Sequence, residues 1–142
     1  PEMTAKFREM LKELDLGLEN RMTAHVGLLS GGQRQAVTLL MATLVRPHLL
    51  LLDEHTAALD PKTAEKVLAL TVKLVETNKL TTLMITHNMR DALRFGNRLI
   101  MMHQGRVVVD VAGDEKKHLT VPDLLALFEK GAGEVSDQMV LQ

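Results

Sequence analysis

The chain has 142 residues, of which 46% are hydrophobic and 25% charged, and its 17 Lys and Arg nearly balance 18 Asp and Glu. This is the composition of a soluble globular domain, and a net charge of -1 with only three Phe and no Trp or Tyr excludes general nucleic-acid binding. The lack of cysteine excludes disulfides and thiolate chemistry, and no apolar run approaches the roughly 20 residues of a membrane-spanning helix.

The first part of the chain is predicted to contain two helices. Apolar residues recur at every third or fourth position from Glu2 to Leu14, which predicts an amphipathic helix that ends at Gly17. Residues 18–29 mix polar and apolar side chains and predict a packed linker. A second helix is predicted over Ser30–Val45, with Ser30 as its N-cap, and Pro47 prevents its continuation.

Two apolar runs predict strands that are buried on both faces. Leu49–Leu52 is the first run and is followed by Asp53 and Glu54. Thr81–Thr86 is the second run and is followed by His87. Because ligands of parallel sheets bind beyond the carboxyl ends of the strands, these three polar residues are candidates for a site.

The other predicted elements are helices and one hairpin, and they complete an α/β fold with a mainly parallel sheet, flanking helices and a C-terminal antiparallel hairpin. They are a helix from the N-cap Asp60 to Thr77, a short helix Met89–Phe95, a hairpin of Arg98–Met102 and Val107–Val111 with Gly105 in its turn, and a helix Val121–Lys130. The tail after Gly131 is expected to be frayed, and Lys116 and Lys117 are expected in a solvated turn.

Three segments carry residues with chemical potential, and each has a plainer interpretation. Ser30–Gln33 at the start of a helix can offer backbone N–H groups to a phosphate, or it can be an ordinary capped helix. Asp53 and Glu54 can serve a magnesium ion and a water molecule, or they can lie in a solvated loop. His87 can donate to a phosphate oxygen or orient a water, or it can be structural.

In this order and spacing the segments resemble the nucleotide-binding domains of ATP-binding cassette (ABC) proteins, over about residues 2–130. Leu29–Gln33 resembles the LSGGQ signature, Leu49–Asp53 the Walker B strand and Ala57–Asp60 the D-loop. The resemblance implies a partial P-loop NTPase fold. It assigns residues 1–28 to the end of a helical subdomain, 29–112 to the C-terminal part of a RecA-like core, and 113–142 to a C-terminal helix and tail.

The resemblance also implies roles for individual residues. Glu54 would polarise the attacking water, His87 would contact the γ-phosphate, and Asp53 would help to hold Mg²⁺, usually through water. The residues that would contact ATP held by a second subunit are Ser30, Gly31, Gly32, Gln33 and Asp60.

The chain departs from the family pattern in one major respect. No Gly-x-x-x-x-Gly-Lys-Ser/Thr motif occurs in the 142 residues, so the loop that cradles the phosphates is missing, as are the adenine-stacking aromatic residue and the glutamine loop. The chain therefore resembles the C-terminal half of a cassette and is expected to be inactive alone. His55 also stands where many relatives have Pro.

The function implied is that of an ABC transporter ATP-binding subunit, with ATP and Mg²⁺ as cofactors and a small organic solute such as an amino acid as cargo. Its expected partners are a second ATPase subunit, arranged head to tail, and membrane permease subunits on the cytoplasmic face of the cell membrane. Two alternatives are a soluble ABC ATPase of repair or translation and a non-catalytic half-cassette that donates its signature loop. Uncovered strand edges further predict that the isolated chain either self-associates, through strand addition or exchange with a second copy, or shifts its C-terminal hairpin to cover the gap.

Overall fold

The computed structural model describes residues 2–140, with side chains described up to residue 134. The chain divides into two compact units, Pro1–Ile85 and Thr86–Gln142, which are described separately.

The first unit contains three helices and two strands. They are α1 (Glu2–Lys12), α2 (Gly31–Thr43), β1 (Leu50–Asp53), α3 (Pro61–Asn78) and β2 (Thr82–Ile85). Two short 3-10 turns, Leu18–Asn20 and Val26–Leu28, occupy the predicted linker. The start of α3 follows the sequence pattern, since Asp60 caps it and Pro61 is its first residue.

The second unit contains three helices and a hairpin. They are α4 (Met89–Arg94), β3 (Arg98–His103), β4 (Arg106–Ala112), α5 (Gly113–Lys117) and α6 (Val121–Val140). Gln104 and Gly105 form the hairpin turn in left-handed backbone conformations, with φ of 48° and 75°. The sequence did not predict α5.

The strands pair as the α/β interpretation predicts. β1 and β2 are parallel, with a register that runs from Leu50 opposite Thr82 to Asp53 opposite Ile85. β3 and β4 pair in antiparallel fashion. The predicted combination of a parallel sheet, helices and a C-terminal hairpin is therefore confirmed.

Only one face of the parallel sheet is buried. Leu50 and Leu52 belong to the core of the first unit together with residues of α2 and α3. Leu51, Leu83 and Ile85 lie on the opposite face and are 64%, 55% and 49% exposed. The prediction of strands buried on both faces is wrong for the described chain, because the helices of this unit pack on one face only. Self-association through the strand edges stays a prediction.

The core of the second unit lies between the hairpin and α6. Leu99, Val109, Val111 and Leu124 form its buried cluster. A Cβ atom placed on Gly131 would lie 2.9 Å from Cβ of Val108. The helix continues past Gly131 to residue 140, so the predicted frayed tail is wrong as far as residue 140, and residues 141–142 lie outside the described part of the chain. The glycine permits close packing of α6 on β4.

Lys116 is buried rather than solvated. Its side chain is 4% exposed, and Nζ donates hydrogen bonds to the backbone oxygens of Leu93, Phe95 and Gly96 at 2.8, 2.8 and 2.9 Å. Three acceptors match the three N–H bonds of an ammonium group, although burial lowers the pKa of Lys116 from its ordinary value. The lysine thus ties α5 to the C-terminal end of α4, and the solvated-turn prediction is wrong for this residue.

No helix within residues 2–140 has both the length and the apolar character needed to cross a membrane.

The assignment of sheet faces predicts opposite outcomes for neighbouring leucines. Leu52→Ala removes a side chain from the core and is expected to cost about 2–5 kcal/mol of unfolding free energy. Leu51→Ala acts on an exposed side chain and is expected to change it by less than about 0.5 kcal/mol. Urea denaturation of both variants is the measurement, and equal losses would contradict the assignment.

The Lys116 contacts predict a second matched pair. Lys116→Met leaves three backbone oxygens without their donor and is expected to cost about 2 kcal/mol or more in the free energy of unfolding. Lys117→Met is the control, because the side chain of Lys117 is 75% exposed. A Lys116 variant as stable as the control in thermal unfolding would show that the three bonds contribute nothing.

Candidate functional site

The start of α2 is held by a reciprocal pair of hydrogen bonds. Ser30 Oγ accepts from the backbone N–H of Gln33 at 3.2 Å, and Gln33 Oε1 accepts from the backbone N–H of Ser30 at 2.9 Å. This is the capping box that the Ser-x-x-Gln spacing permits. Gln33 Nε2 also donates to the backbone oxygen of Leu16 at 2.9 Å, so both ends of its amide bond within the chain.

The two glycines at the start of α2 differ in their surroundings. Gly31 is exposed and Gly32 is buried. Helix N-termini carry backbone N–H groups without intrahelical partners and a partial positive charge, which suits an anion. Gly31 and the exposed Ser30 are open to such a ligand, whereas a Cβ atom on Gly32 would overlap the side chain of Thr63.

Asp53 and Glu54 lie at the carboxyl end of β1. Asp53 is the last residue of the strand and is exposed. Glu54 has a left-handed backbone with φ of 44°, and its N–H donates to the backbone oxygen of Ile85 at 3.0 Å. The chain therefore turns sharply at Glu54 while its backbone stays bonded to the neighbouring strand segment.

His55 anchors this turn to α3. Its Nε2 atom lies 3.0 Å from Thr71 Oγ1, and the hydroxyl of Thr71 donates to the backbone oxygen of Val67 at 2.8 Å. Since that hydroxyl proton is committed to Val67, the oxygen accepts from Nε2–H of His55. Burial lowers the pKa of His55 below its ordinary value of 6.5, which favours the neutral ring.

Asp60 caps α3 close to the start of α2. Its Oδ1 atom accepts from the backbone N–H of Thr63 at 3.0 Å. The hydroxyl and the backbone N–H of Thr63 hold the pKa of Asp60 below its usual value, so the carboxylate is ionised. The structure thus brings Ser30–Gln33 and Asp60 together at two adjacent helix starts.

His87 belongs to the second unit. It is exposed and immediately precedes Asn88, which caps α4 by accepting from the N–H groups of Arg90 and Asp91. Asn88 N–H in turn donates to Thr86 Oγ1 at 3.0 Å, across the histidine. The position of His87 is thereby defined by the start of α4.

The residues present fit the cofactors that the sequence implies. Among the described residues, no three His, Asp or Glu side chains converge as a metal site. Magnesium needs no such cluster, because it commonly binds one or two carboxylates together with substrate phosphates and water. The exposed carboxylate of Asp53 has the chemistry that such a magnesium site requires, and the open helix start at Ser30 and Gly31 suits a phosphate.

Three positioning contacts escape sequence reasoning. They are the bond from Gln33 to the Leu16 carbonyl, the bond from His55 to Thr71, and the contact of Gly32 with Thr63. Each joins residues at least 16 positions apart, so no local pattern could reveal it.

Comparisons with known proteins agree with the sequence motifs. Residues 2–57 match the family model described as ABC transporter. The chain is 50% identical over 126 residues to the tyrosine transport ATP-binding protein of Clostridioides difficile (strain R20291). The aligned region covers 89% of this chain and 50% of the relative. It is 35% identical over 144 residues to a methionine import ATP-binding protein of Enterococcus faecalis (strain ATCC 700802 / V583), covering 100% of this chain and 38% of the relative.

A solved structure shares the fold. It is described as an inward-facing conformation of a metal-chelate type ABC transporter, and it matches 75% of this chain and 42% of its own with a TM-score of 0.61 and 30% identity. The predicted ABC ATPase fold is confirmed by this match. The chain spans about half the length of the tyrosine transport relative and a smaller share of the methionine import relative.

Proposed function

This chain belongs to the ATP-binding domains of ABC transporters, and from that premise we propose that it is part of a subunit that couples ATP binding and hydrolysis to solute transport. The observation that carries the proposal is the 50% identity to a tyrosine transport ATP-binding protein over 89% of the chain. The relatives named for transport or import favour this role over one in repair or translation.

The proposed cargo is an amino acid or a similar small organic molecule. Three relatives support this class, since their names specify tyrosine, methionine and L-cystine. All three names describe ATP-binding components of transport systems. We therefore propose that the subunit works with membrane permease subunits and lies on the cytoplasmic face of the membrane.

The proposed roles of the individual residues follow from the positions described above. Glu54, at the end of β1, would polarise the attacking water, and Asp53 would help to hold the magnesium ion. His87 would contact the γ-phosphate. The bound Mg²⁺ would neutralise phosphate charge during hydrolysis.

The signature segment would act on a nucleotide held by a second subunit. Two observations support this role. The exposed start of α2 at Ser30 and Gly31 favours an anion, and Asp60 is the exposed N-cap of the neighbouring helix α3. For Gln33 we propose an indirect role, because its amide is bonded to Ser30 and Leu16. We propose the same role for Gly32 as for Ser30 and Gly31.

The proposed domain limits are 1–28 for the end of a helical subdomain, 29–112 for the C-terminal part of the core, and 113–142 for a C-terminal helix and tail.

The isolated chain is expected to bind Mg-ATP weakly and not to hydrolyse it. Affinity in this type of site comes mainly from the phosphate-cradling backbone and its lysine, and no such motif occurs in the 142 residues. Calorimetric titration of the chain with Mg-ATP is the measurement. Micromolar binding, or turnover that Glu54→Ala abolishes, would contradict this assignment.

The residue roles are tested in a chimera that joins this chain to the remaining half of the C. difficile relative. Glu54→Gln keeps the shape of the side chain but cannot accept a proton, so ATP should bind while hydrolysis falls at least about 100-fold. Ser30→Arg places bulk where a partner's phosphate would lie, so the ATP-bound dimer should not form.

Nucleotide binding, turnover and dimer mass distinguish these outcomes. Glu76→Gln, on the exposed surface of α3, is the control and should match the parent in all three measurements. Unchanged turnover in Glu54→Gln would remove that residue from the reaction, and normal ATP-dependent dimerisation of Ser30→Arg would remove the signature segment from the interface.

A further inference from the structure

The starts of α2 and α3 are in direct contact through the two glycines. A Cβ atom on Gly31 would lie 3.3 Å from Leu59 Cδ2. A Cβ atom on Gly32 would overlap Thr63 Cγ2 and lie 3.5 Å from Thr63 Cβ. Both glycines are in the first turn of α2, and neither has a left-handed backbone. Space, rather than backbone freedom, therefore requires glycine at position 32.

Thr63 uses its two side-chain groups in different directions. Its backbone N–H donates to Oδ1 of Asp60 at 3.0 Å, and its hydroxyl group is a cause of the lowered pKa of that carboxylate. Its methyl carbon fills the space that a Cβ atom on residue 32 would need. One half-buried side chain thus touches the cap of α3 and the first turn of α2.

The start of α2 is also held by the hydrogen bonds of Gln33. Gln33 joins the N–H of Ser30 to the backbone oxygen of Leu16, with both distances at 2.9 Å. The segment Ser30–Gln33 is therefore in contact with both the backbone of Leu16 and the side chain of Thr63. A shift of this segment relative to α3 would break one of these contacts.

We infer that Thr63 is a positioning residue that couples the signature segment Ser30–Gln33 to the cap of α3 at Asp60. The methyl group packs against the first turn of α2 at Gly32, and the backbone N–H of the same residue holds the carboxylate of Asp60. The functional meaning of this coupling rests on the proposed function, in which both segments approach one nucleotide in a second subunit. Displacement of either segment by that nucleotide would then be transmitted to the other through one side chain.

A double-mutant cycle in the 142-residue chain tests the contact. Gly32→Ala is expected to lower Tm by about 5 °C or more, because the new methyl group overlaps Thr63. Thr63→Ala removes the obstructing methyl group. The double variant should therefore have a higher Tm than Gly32→Ala alone, which is a non-additive result.

Gly133→Ala is the control for the intrinsic effect of alanine in a helix. A Cβ atom at Gly133 meets nothing within 4 Å, so this variant should keep or raise Tm. If Gly32→Ala behaves like this control, or if the effects at positions 32 and 63 are additive, the inferred contact is wrong.

Two conservative variants test the methyl group and the hydroxyl group of Thr63 separately, without introducing a steric overlap. Thr63→Ser keeps the hydroxyl group and removes the methyl group, so the amide NMR signals of Gly31 and Gly32 should shift while the pKa of Asp60 stays low. Thr63→Val keeps the methyl group and removes the hydroxyl group. It should leave the glycine signals in place and raise the pKa of Asp60 toward its ordinary value.

The signs of these effects are fixed by the contacts. The hydroxyl bond stabilises the ionised carboxylate, so its loss must raise the pKa of Asp60. Glycine signals that move in Thr63→Val but not in Thr63→Ser would overturn the inference. None of these measurements uses nucleotide, so a failure of ATP turnover in the chimera would refute the proposed function and leave this test intact.

Discussion

The burial of Leu50 and Leu52 is the constraint on which the first unit depends. These two residues of β1 share a core with Ala36 and Leu39 of α2. Since strand side chains alternate between faces, this packing also places Asp53 on the opposite, open face. A register slip of one residue would bury the carboxylate of Asp53 and expose Leu50 and Leu52. The apolar contacts that stabilise the unit therefore also determine the position of its candidate magnesium ligand.

The two helix starts show how a candidate ligand-binding segment can be held in place by local hydrogen bonds. Ser30 and Gln33 bond each other's backbone, and Asp60 accepts a bond from the backbone N–H of Thr63. Each cap satisfies polar groups that would otherwise require water, and the buried Gly32 lets the two helix starts approach closely. Local hydrogen bonds define each start, and the contacts of the two glycines with Leu59 and Thr63 define how the starts lie relative to each other.

Much of the fold could be predicted because its signals are local. The caps at Ser30 and Asp60, the alternation of strands and helices, and Gly105 in the hairpin turn depend on nearby residues, and all are observed. The candidate carboxylates also lie at the end of β1 as the apolar run predicts. Their chemical roles stay predictions, because no described contact tests them.

The features that could not be predicted depend on distant partners. The pattern of β1 does not show whether helices cover one face or both, so it could not reveal the exposure of Leu51. Lys116 resembles a surface lysine until the carbonyl groups of three residues about 20 positions away surround it. Gly131 resembles a helix end, and only its close approach to Val108 shows why a glycine stands inside the helix.

The left-handed backbone at Glu54 has a consequence for how this position can evolve. Side chains branched at Cβ strongly disfavour such a conformation, so Val, Ile or Thr would force the peptide away from its bond to the Ile85 carbonyl. A relative that lost the chemistry of this carboxylate while keeping the turn should therefore carry Gln, Asn, Asp or Gly here. Among degenerate copies of the domain, drift at this site would be confined by geometry long after selection for catalysis had ended.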